Sequence, residues 1–426
     1  MKVQERPAAT TFGILLRMQS MKMNRKYISL VVLAILFACL SGCTRQKAKL
    51  FVATDLHYLS PSLHDNGAIF NLLMENSDGK VTPYSYEITQ AFAMQVENEK
   101  PDVLILSGAL TFNGEKQSHE ELVEVLRQIE ESGVPVLVIP GNHDIDNGNA
   151  RQYFGEEYSS VDSVTAEEFA DLYKEFGLGE AESRDPASLS YIYRINKDLA
   201  ILMLDTNAYG ELFMMNSDWV AEVLADMKKQ GTEVICVTHQ NIMIHNENNY
   251  FGYQLYDWEE LKGMLLDNGV RLNLSGHIHA QHIRQEDGLT EVVTSSLMVP
   301  PIQYGSIAYD GNIDYHTETV DVKAWADSVG SDDINLQDFD NYALEYFKVH
   351  STDRLRKRLV DEDISDEEKE ELIRSFGELN AWYFSGKPYD LTPYKDAVKL
   401  WEIRGNKYVQ LMAERAEEDH TKITLR

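Results

Sequence analysis

The sequence predicts an α/β protein with two sheet-like halves, each flanked by its own helices. Three observations lead there: short apolar runs recur along the chain, amphipathic stretches of helical period separate them, and nearly every run ends in a polar residue. In order, AKLFVATD (Ala48 to Asp55) reads as a strand ending in a carboxylate. Thr82 to Lys100 carries helix-period apolar positions behind a Thr-Pro start. PDVLILSG (Pro101 to Gly108) is a second strand, Lys116 to Gly133 a helix closed by glycine, and VPVLVIPGN (Val134 to Asn142) a third strand running into a Pro-Gly turn. The acidic insert from Ile145 to Pro186 is expected to be helical surface. Ser190 to Thr206 then reads as a hairpin and Ser217 to Gly231 as a helix, while TEVICVTH (232–239), VRLNLSGH (270–277) and TEVVTSSL (290–297) read as strands. No internal repeat or low-complexity segment interrupts this alternation.

The N-terminus follows a different logic. Lys22, Arg25 and Lys26 precede an apolar run from Ile28 to Leu40, which ends in the small residues Ser41 and Gly42 before Cys43. Basic, then apolar, then small is the order of a secretion signal, and a run of 13 residues is too short to span a bilayer. Leu40 to Cys43 resembles a bacterial lipobox. That resemblance implies a signal over 1–42, cleavage before Cys43, a lipid on its sulfur, and a place in the cell envelope, anchored to a bacterial membrane on the extracytoplasmic side. A start at Met21 or Met23 would give a signal of ordinary length. Of three cysteines only Cys236 lies in the body of the chain, so no disulfide framework is available.

Charge narrows the function. Beyond Cys43 there are 33 basic against 68 acidic residues, a net of −35. Such a surface repels phosphate backbones and anionic headgroups, which argues against a nucleic-acid scaffold and leaves membrane attachment to the lipid. A small anionic substrate remains compatible if metal ions supply local positive charge.

The polar residues at the strand ends carry the chemistry. Asp55 and His57 follow the first strand; Asn142, His143 and Asp144 follow the third, in GNHD; His239 closes ICVTH; His277 and His279 follow LNLSG, in GHIH. Imidazoles with one or two carboxylates at the carboxyl ends of strands form a donor set for divalent transition metals. A single strand-end histidine is usually structural, and GNHD alone could be a capped turn. Five histidines, an Asp and an Asn in this succession are harder to explain so.

Their order, TDLH (54–57), SGALTFNG (107–114), GNHD (141–144), THQN (238–241) and GHIH (276–279), resembles that of the calcineurin-like metallophosphoesterases. The resemblance spans roughly Lys49 to Pro301. It implies a four-layer α-β-β-α sandwich of two mixed sheets over 44–305, with two divalent ions, Mn, Fe or Zn, between the strand ends. Asp55, His57 and His279 would bind the first ion, and Asn142, His239 and His277 the second. Two such ions lower the pKa of a shared water and stabilise in-line attack on a small phosphate ester. His143 would face the substrate as catalytic acid, with Asp144 orienting it.

One position departs from the family. Where the family carries an aspartate that bridges both metals, this chain has Ala109. A methyl group coordinates nothing, so metal affinity, above all at the second site, is expected to fall. An inactivated variant, a natural pseudoenzyme and a weakened hydrolase all remain open. The intact remainder of the ligand set favours one recent or engineered change over long decay. The alternative to an enzyme is a silent envelope lipoprotein that binds a metal or phosphate ligand for sensing or assembly.

Beyond Pro301 the motifs stop, and 306–426 reads as a helical accessory region. Asp363 to Phe376 carries a Ser365 to Glu368 capping box, and Tyr394 to Asp419 reads as one more amphipathic helix. Trp382, Tyr383, Tyr389 and Trp401 are expected to form its core. A lid that narrows the substrate site is the functional alternative.

Overall fold

Strand pairing fixes the architecture. The computed structural model describes residues 45–207, 216–248 and 252–426, so the signal over 1–42 and Cys43 lie outside the described residues. Gln46–Arg426 fold as one compact unit. Its strands, in chain order, are β1 (Ala48–Ala53), β2 (Val103–Leu106), β3 (Val136–Val138), β4 (Arg151–Phe154), β5 (Glu157–Ser160), β6 (Ser183–Arg184), β7 (Tyr191–Asn196), β8 (Leu199–Met203), β9 (Glu233–Val237), β10 (Leu272–Ser275), β11 (His282–Glu286), β12 (Leu289–Val293), β13 (Gln303–Tyr309), β14 (Ile313–Thr319) and β15 (Lys422–Leu425). One sheet has the order β15-β14-β13-β1-β2-β3, the other β11-β12-β10-β9-β8-β7-β6. Both are mixed: β1, β2 and β3 run parallel, as do β8, β9, β10 and β12, while the outer strands pair antiparallel.

Alternation along the central strands explains the layering. Leu50 and Val52 of β1 and Ile105 of β2 face Ile201, Met203, Ile235 and Val237 of the other sheet, forming a shared apolar core. Their neighbours Phe51, Ala53, Leu104 and Leu106 point the other way, onto the helices Ser85–Glu99 and Lys116–Glu131. On the far side, Ala200, Leu202, Val234 and Cys236 meet the helices Ser217–Gln230 and Trp258–Asp267. A strand buried on both faces has no polar side, which is why these segments read as continuous apolar runs. Helix, sheet, sheet, helix is the four-layer order expected.

Four expectations need correction. The acidic insert is not simply helical: β4 and β5 form a hairpin there, with one capped helix at Ala166–Leu172. High charge masks its alternation, since most of its side chains face water. The second correction concerns the region after Pro301, which contributes helices between Val322 and Glu414 but begins with two strands and ends with a third, all in the first sheet. The span from Tyr394 to Asp419 holds two helices, Lys395–Ile403 and Lys407–Glu414, because Gly405 adopts φ +68° and Asn406 caps the second. Finally, Trp401 is buried in the accessory core and Tyr383 and Tyr389 pack against it, but Trp382 is 42% exposed.

Candidate metal centre

Every motif residue lies just beyond the carboxyl end of a parallel strand, where both sheets open toward one side. The two first-sheet loops are zipped together: the N–H groups of Asp55, His57 and Tyr58 donate to the carbonyls of Gly108, Ala109 and Leu110 at 2.9–3.0 Å. Glycine permits the loops to close. A Cβ on Gly141 would lie 2.0 Å from the Ala109 nitrogen, and one on Gly276 would lie 2.0 Å from Thr54 Oγ1 and 2.5 Å from Asp55 Oδ2. Asp55, His57, Ala109, His277 and His279 all sit at positive φ, between 40° and 71°. Backbone strain concentrated in this way belongs to sites that aim side chains at a ligand.

The structure brings Asp55, His57 and His279 together. Nε2 of His57 and Nε2 of His279 are 3.0 Å apart, and Asp55 Oδ1 is 3.3 Å from His279 Nε2 and 3.7 Å from His57 Nε2. Asp55 Oδ2 is held by Thr54 Oγ1 and the His277 N–H, each at 2.8 Å. Its Oδ1 is buried and receives no hydrogen bond. A carboxylate oxygen without a donor, facing imidazole nitrogens, is a donor set that a divalent cation fits. Charge agrees with this: burial alone would raise the Asp55 carboxyl, but His279, His239 and His57 hold it well below the usual range.

Asn142, His239 and His277 form a second group. His239 places Nδ1 2.8 Å from the Ser107 carbonyl and Nε2 2.8 Å from Asn142 Oδ1. His277 gives its Nε2–H to the Gly252 carbonyl at 3.0 Å, so Nδ1 is its free nitrogen, and its ring lies 5.0 Å from that of His239. Burial, then the neighbouring His239, pushes His277 down to about 3, and burial, then Lys80, pushes His57 well below its ordinary value. Neutral imidazoles are the form that ligates. Ala109 itself is fully buried, its carbonyl bonded to His57 and its nitrogen pressed by Gly141.

His143 and Asp144 do not form the expected pair. Asp144 accepts from the backbone N–H groups of Gly141, Leu110 and Thr111 at 2.6, 3.1 and 2.9 Å, and from Thr111 Oγ1 at 3.1 Å. It clamps one loop to the other, because four donors converge on it and outcompete a single imidazole. His143 is oriented instead by the Phe112 carbonyl, 2.7 Å from its Nδ1, and its ring lies 4.7 Å from that of His57. Burial, then Lys80, brings it down to about 4. Lys80 is the residue that sequence reasoning misses; no motif or spacing marks it.

A second histidine cluster lies near the accessory region. Arg415 Nη1 donates to His282 Nε2 at 3.0 Å, His282 and His245 meet through their Nδ1 atoms at 2.8 Å, and His245 Nε2 reaches Glu291 Oε2 at 3.0 Å. His420 stacks on His282 at 3.9 Å and donates to Glu418 at 2.9 Å.

Comparison with known proteins agrees with the first centre. Residues 48–281, more than half of the chain, match the family described as calcineurin-like phosphoesterase. The chain belongs to that family, and is built as a metal-dependent hydrolase of phosphate esters. Residues 321–417 match the C-terminal domain of cyclic nucleotide phosphodiesterase. Among solved structures, a dimetal phosphatase from Danio rerio aligns with 64% of this chain and 95% of its own, at 11% identity and a TM-score of 0.47. The purple acid phosphatase from yellow lupin (Lupinus luteus) seeds aligns with 65% of this chain and 52% of its own, at 12% identity and a TM-score of 0.38. A search of curated proteins found no match.

Proposed function

We propose that the chain is a hydrolase of small phosphodiesters, held at low activity by Ala109. The observation that carries this reading is the buried Asp55 Oδ1, which receives no hydrogen bond and faces the Nε2 atoms of His57 and His279. In this reading Asp55, His57 and His279 hold one cation and Asn142, His239 and His277 a second, weaker one, with Mn, Fe or Zn suited to the donors. When bound, such ions lower the pKa of water and offset charge on phosphoryl oxygens. The residues do the rest. With Nδ1–H committed to Phe112, His143 presents Nε2 to the pocket. An arriving phosphate anion raises the proton affinity of that nitrogen, so Nε2 takes up a proton on binding and passes it to the leaving oxygen. Asp144 fixes the loop that carries His143.

The match of 321–417 to a cyclic nucleotide phosphodiesterase domain supports diesters over monoesters. A second reading rests on Ala109: a silent lipoprotein that binds metal or phosphate without turnover. Either form would be anchored by lipid at Cys43, which detergent partitioning of Cys43→Ser tests; continued partitioning would remove the lipid from the account. Hydrolysis of bis-p-nitrophenyl phosphate, p-nitrophenyl phosphate and 3′,5′-cyclic AMP with added Mn²⁺ separates the readings. Turnover above that of His143→Ala supports the hydrolase. Rates equal to that control with every divalent metal support the silent binder.

A further inference from the structure

The connection from β9 to the helix Trp258–Asp267 carries His239 and Asn241 and then no further motif residue, yet its described parts, 238–248 and 252–257, are tied down on two sides. Long connections in compact domains are commonly functional. One tie is to the metal centre. The Asn241 N–H donates to the Tyr253 carbonyl at 3.1 Å, the Leu255 N–H donates to the Asn241 carbonyl at 2.8 Å, and Asn241 Nδ2 donates to Ser275 Oγ and the Gly276 carbonyl, each at 3.0 Å. Gly252, at φ +85°, turns its carbonyl onto His277 Nε2 at 3.0 Å. The other tie is to the accessory region. Arg415 donates to the His245 carbonyl at 2.7 Å and to both Glu247 oxygens at 2.9 and 2.8 Å, Asn246 Nδ2 reaches the Tyr383 hydroxyl at 3.2 Å, and Asn248 Nδ2 reaches the Lys407 carbonyl at 3.1 Å.

What these ties fix in place is Tyr253. Its half-buried ring lies 5.3 Å from the ring of His277 at a tilt of 58°. His143 stands against His57 of the first ligand group, with ring centroids 4.7 Å apart, whereas Tyr253 stands against His277 of the second. A phosphodiester carries two organic groups. One departs with the proton that His143 supplies; the other stays on phosphorus and needs a surface to lie on. Asp55, Asn142 and the imidazoles are all polar and offer it little. An aromatic ring whose backbone is already pinned supplies apolar area at a small entropic cost.

We propose that Tyr253 is a specificity-determining residue of this centre, its ring receiving the organic group that remains on phosphorus, and that the accessory region holds the ring there through the loop gripped by Arg415, Tyr383 and Lys407. This rests on reading the centre as a phosphodiester site. The test uses the full chain loaded with Mn²⁺ and calorimetric titration with diphenyl phosphate and with inorganic phosphate. Tyr253→Ala is expected to weaken diphenyl phosphate about tenfold and to leave inorganic phosphate and bound Mn²⁺ unchanged. Tyr253→Phe keeps the ring and is expected to match the native chain. Asn246→Ala, which frees the loop from Tyr383, is expected to give a smaller loss confined to the diester. A merely structural role would weaken both ligands alike or neither, and either result overturns the proposal. Loss of Mn²⁺ from Tyr253→Ala, or no binding of diphenyl phosphate by the native chain, overturns it as well. If Ala109→Asp turns over no ester while Tyr253→Ala still loses diphenyl phosphate alone, the hydrolase reading fails and the assignment of Tyr253 stands.

Discussion

The protein contains two clusters of histidine and carboxylate that look alike in composition and differ in one respect. In the first, Asp55 Oδ1 has no donor, and the Nε2 atoms of His57 and His279 converge on it. In the second, the ligand-type atoms of His282, Glu418 and His420 also lie within 4.8 Å of one another. There, however, every imidazole nitrogen has a hydrogen-bond partner. The Arg415 N–H on His282 Nε2 requires His282 to carry its proton on Nδ1 and give it to His245 Nδ1, which then donates from Nε2 to Glu291. His420 accepts from the Ile283 N–H at 3.2 Å and donates to Glu418, and a guanidinium stands beside the group. Histidine density does not make a metal centre; unsatisfied lone pairs do. The second cluster is a latch that fixes the accessory region to the sheet.

The largest expected effect comes from completing the first cluster. In the proposed reading Ala109→Asp supplies the carboxylate that the two ligand groups would share, and aspartate tolerates the φ of 48° better than alanine does. Diester hydrolysis with Mn²⁺ is expected to rise about a thousandfold, or about 4 kcal/mol, with at least one more equivalent of bound metal by elemental analysis. If neither rate nor stoichiometry moves, Ala109 does not stand between the two groups.

A smaller effect tests the role of neighbouring imidazoles. Glu115 is another fully buried carboxylate with an oxygen lacking a donor, but burial raises it to about 7, whereas Asp55 is held low by its histidines. Because its folded-state pKa lies above the unfolded value of 4.5, the fold prefers the protonated form. The stability it contributes is fully present below pH 4.5, declines as pH rises, and is lost above about 7. Glu115→Gln should therefore match the native chain at pH 4.5 and exceed it at pH 8, by up to about 3 kcal/mol in urea unfolding. Parallel pH profiles for the two chains would show that Glu115 ionises freely.

The smallest effect separates latch from centre directly. Arg415→Met leaves His282 Nε2 without its donor and Glu247 with Arg284 as its remaining cation, and is expected to cost about 2 kcal/mol of stability while bound metal stays constant. His57→Ala should do the reverse, losing metal with little change in the stability of the metal-free chain. Metal loss from Arg415→Met would mean that the two clusters are one functional unit.

The contrast also explains what the sequence makes legible. The first centre is readable because each ligand follows an apolar strand directly, so chain order maps onto position along the sheet edge. The latch is not, since His245, His282, Glu291 and Arg415 come from unrelated elements and only packing unites them. For the same reason sequence misleads about the partner of His143: adjacency of His143 and Asp144 along the chain says nothing about where two consecutive side chains point. Strands β13 and β14 do carry a signal, an alternating run around Asp310-Gly311-Asn312, but it lies beyond the last motif.

The pairing of the first sheet has a consequence for how the chain is made. β1 pairs on one side with β13, Ala48 opposite Tyr309, and β14 is covered by β15, Ile313 opposite Leu425. The earliest strand to leave the ribosome must therefore wait for one formed some 260 residues later, and the sheet is sealed only by the last four-residue strand. Until that moment β14 presents an open row of amides beside Tyr315, a template for pairing with another nascent chain. Trimming a handful of residues from the carboxyl end would make that transient edge permanent, so that the protein's tendency to aggregate is governed by residues far from any chemistry it performs.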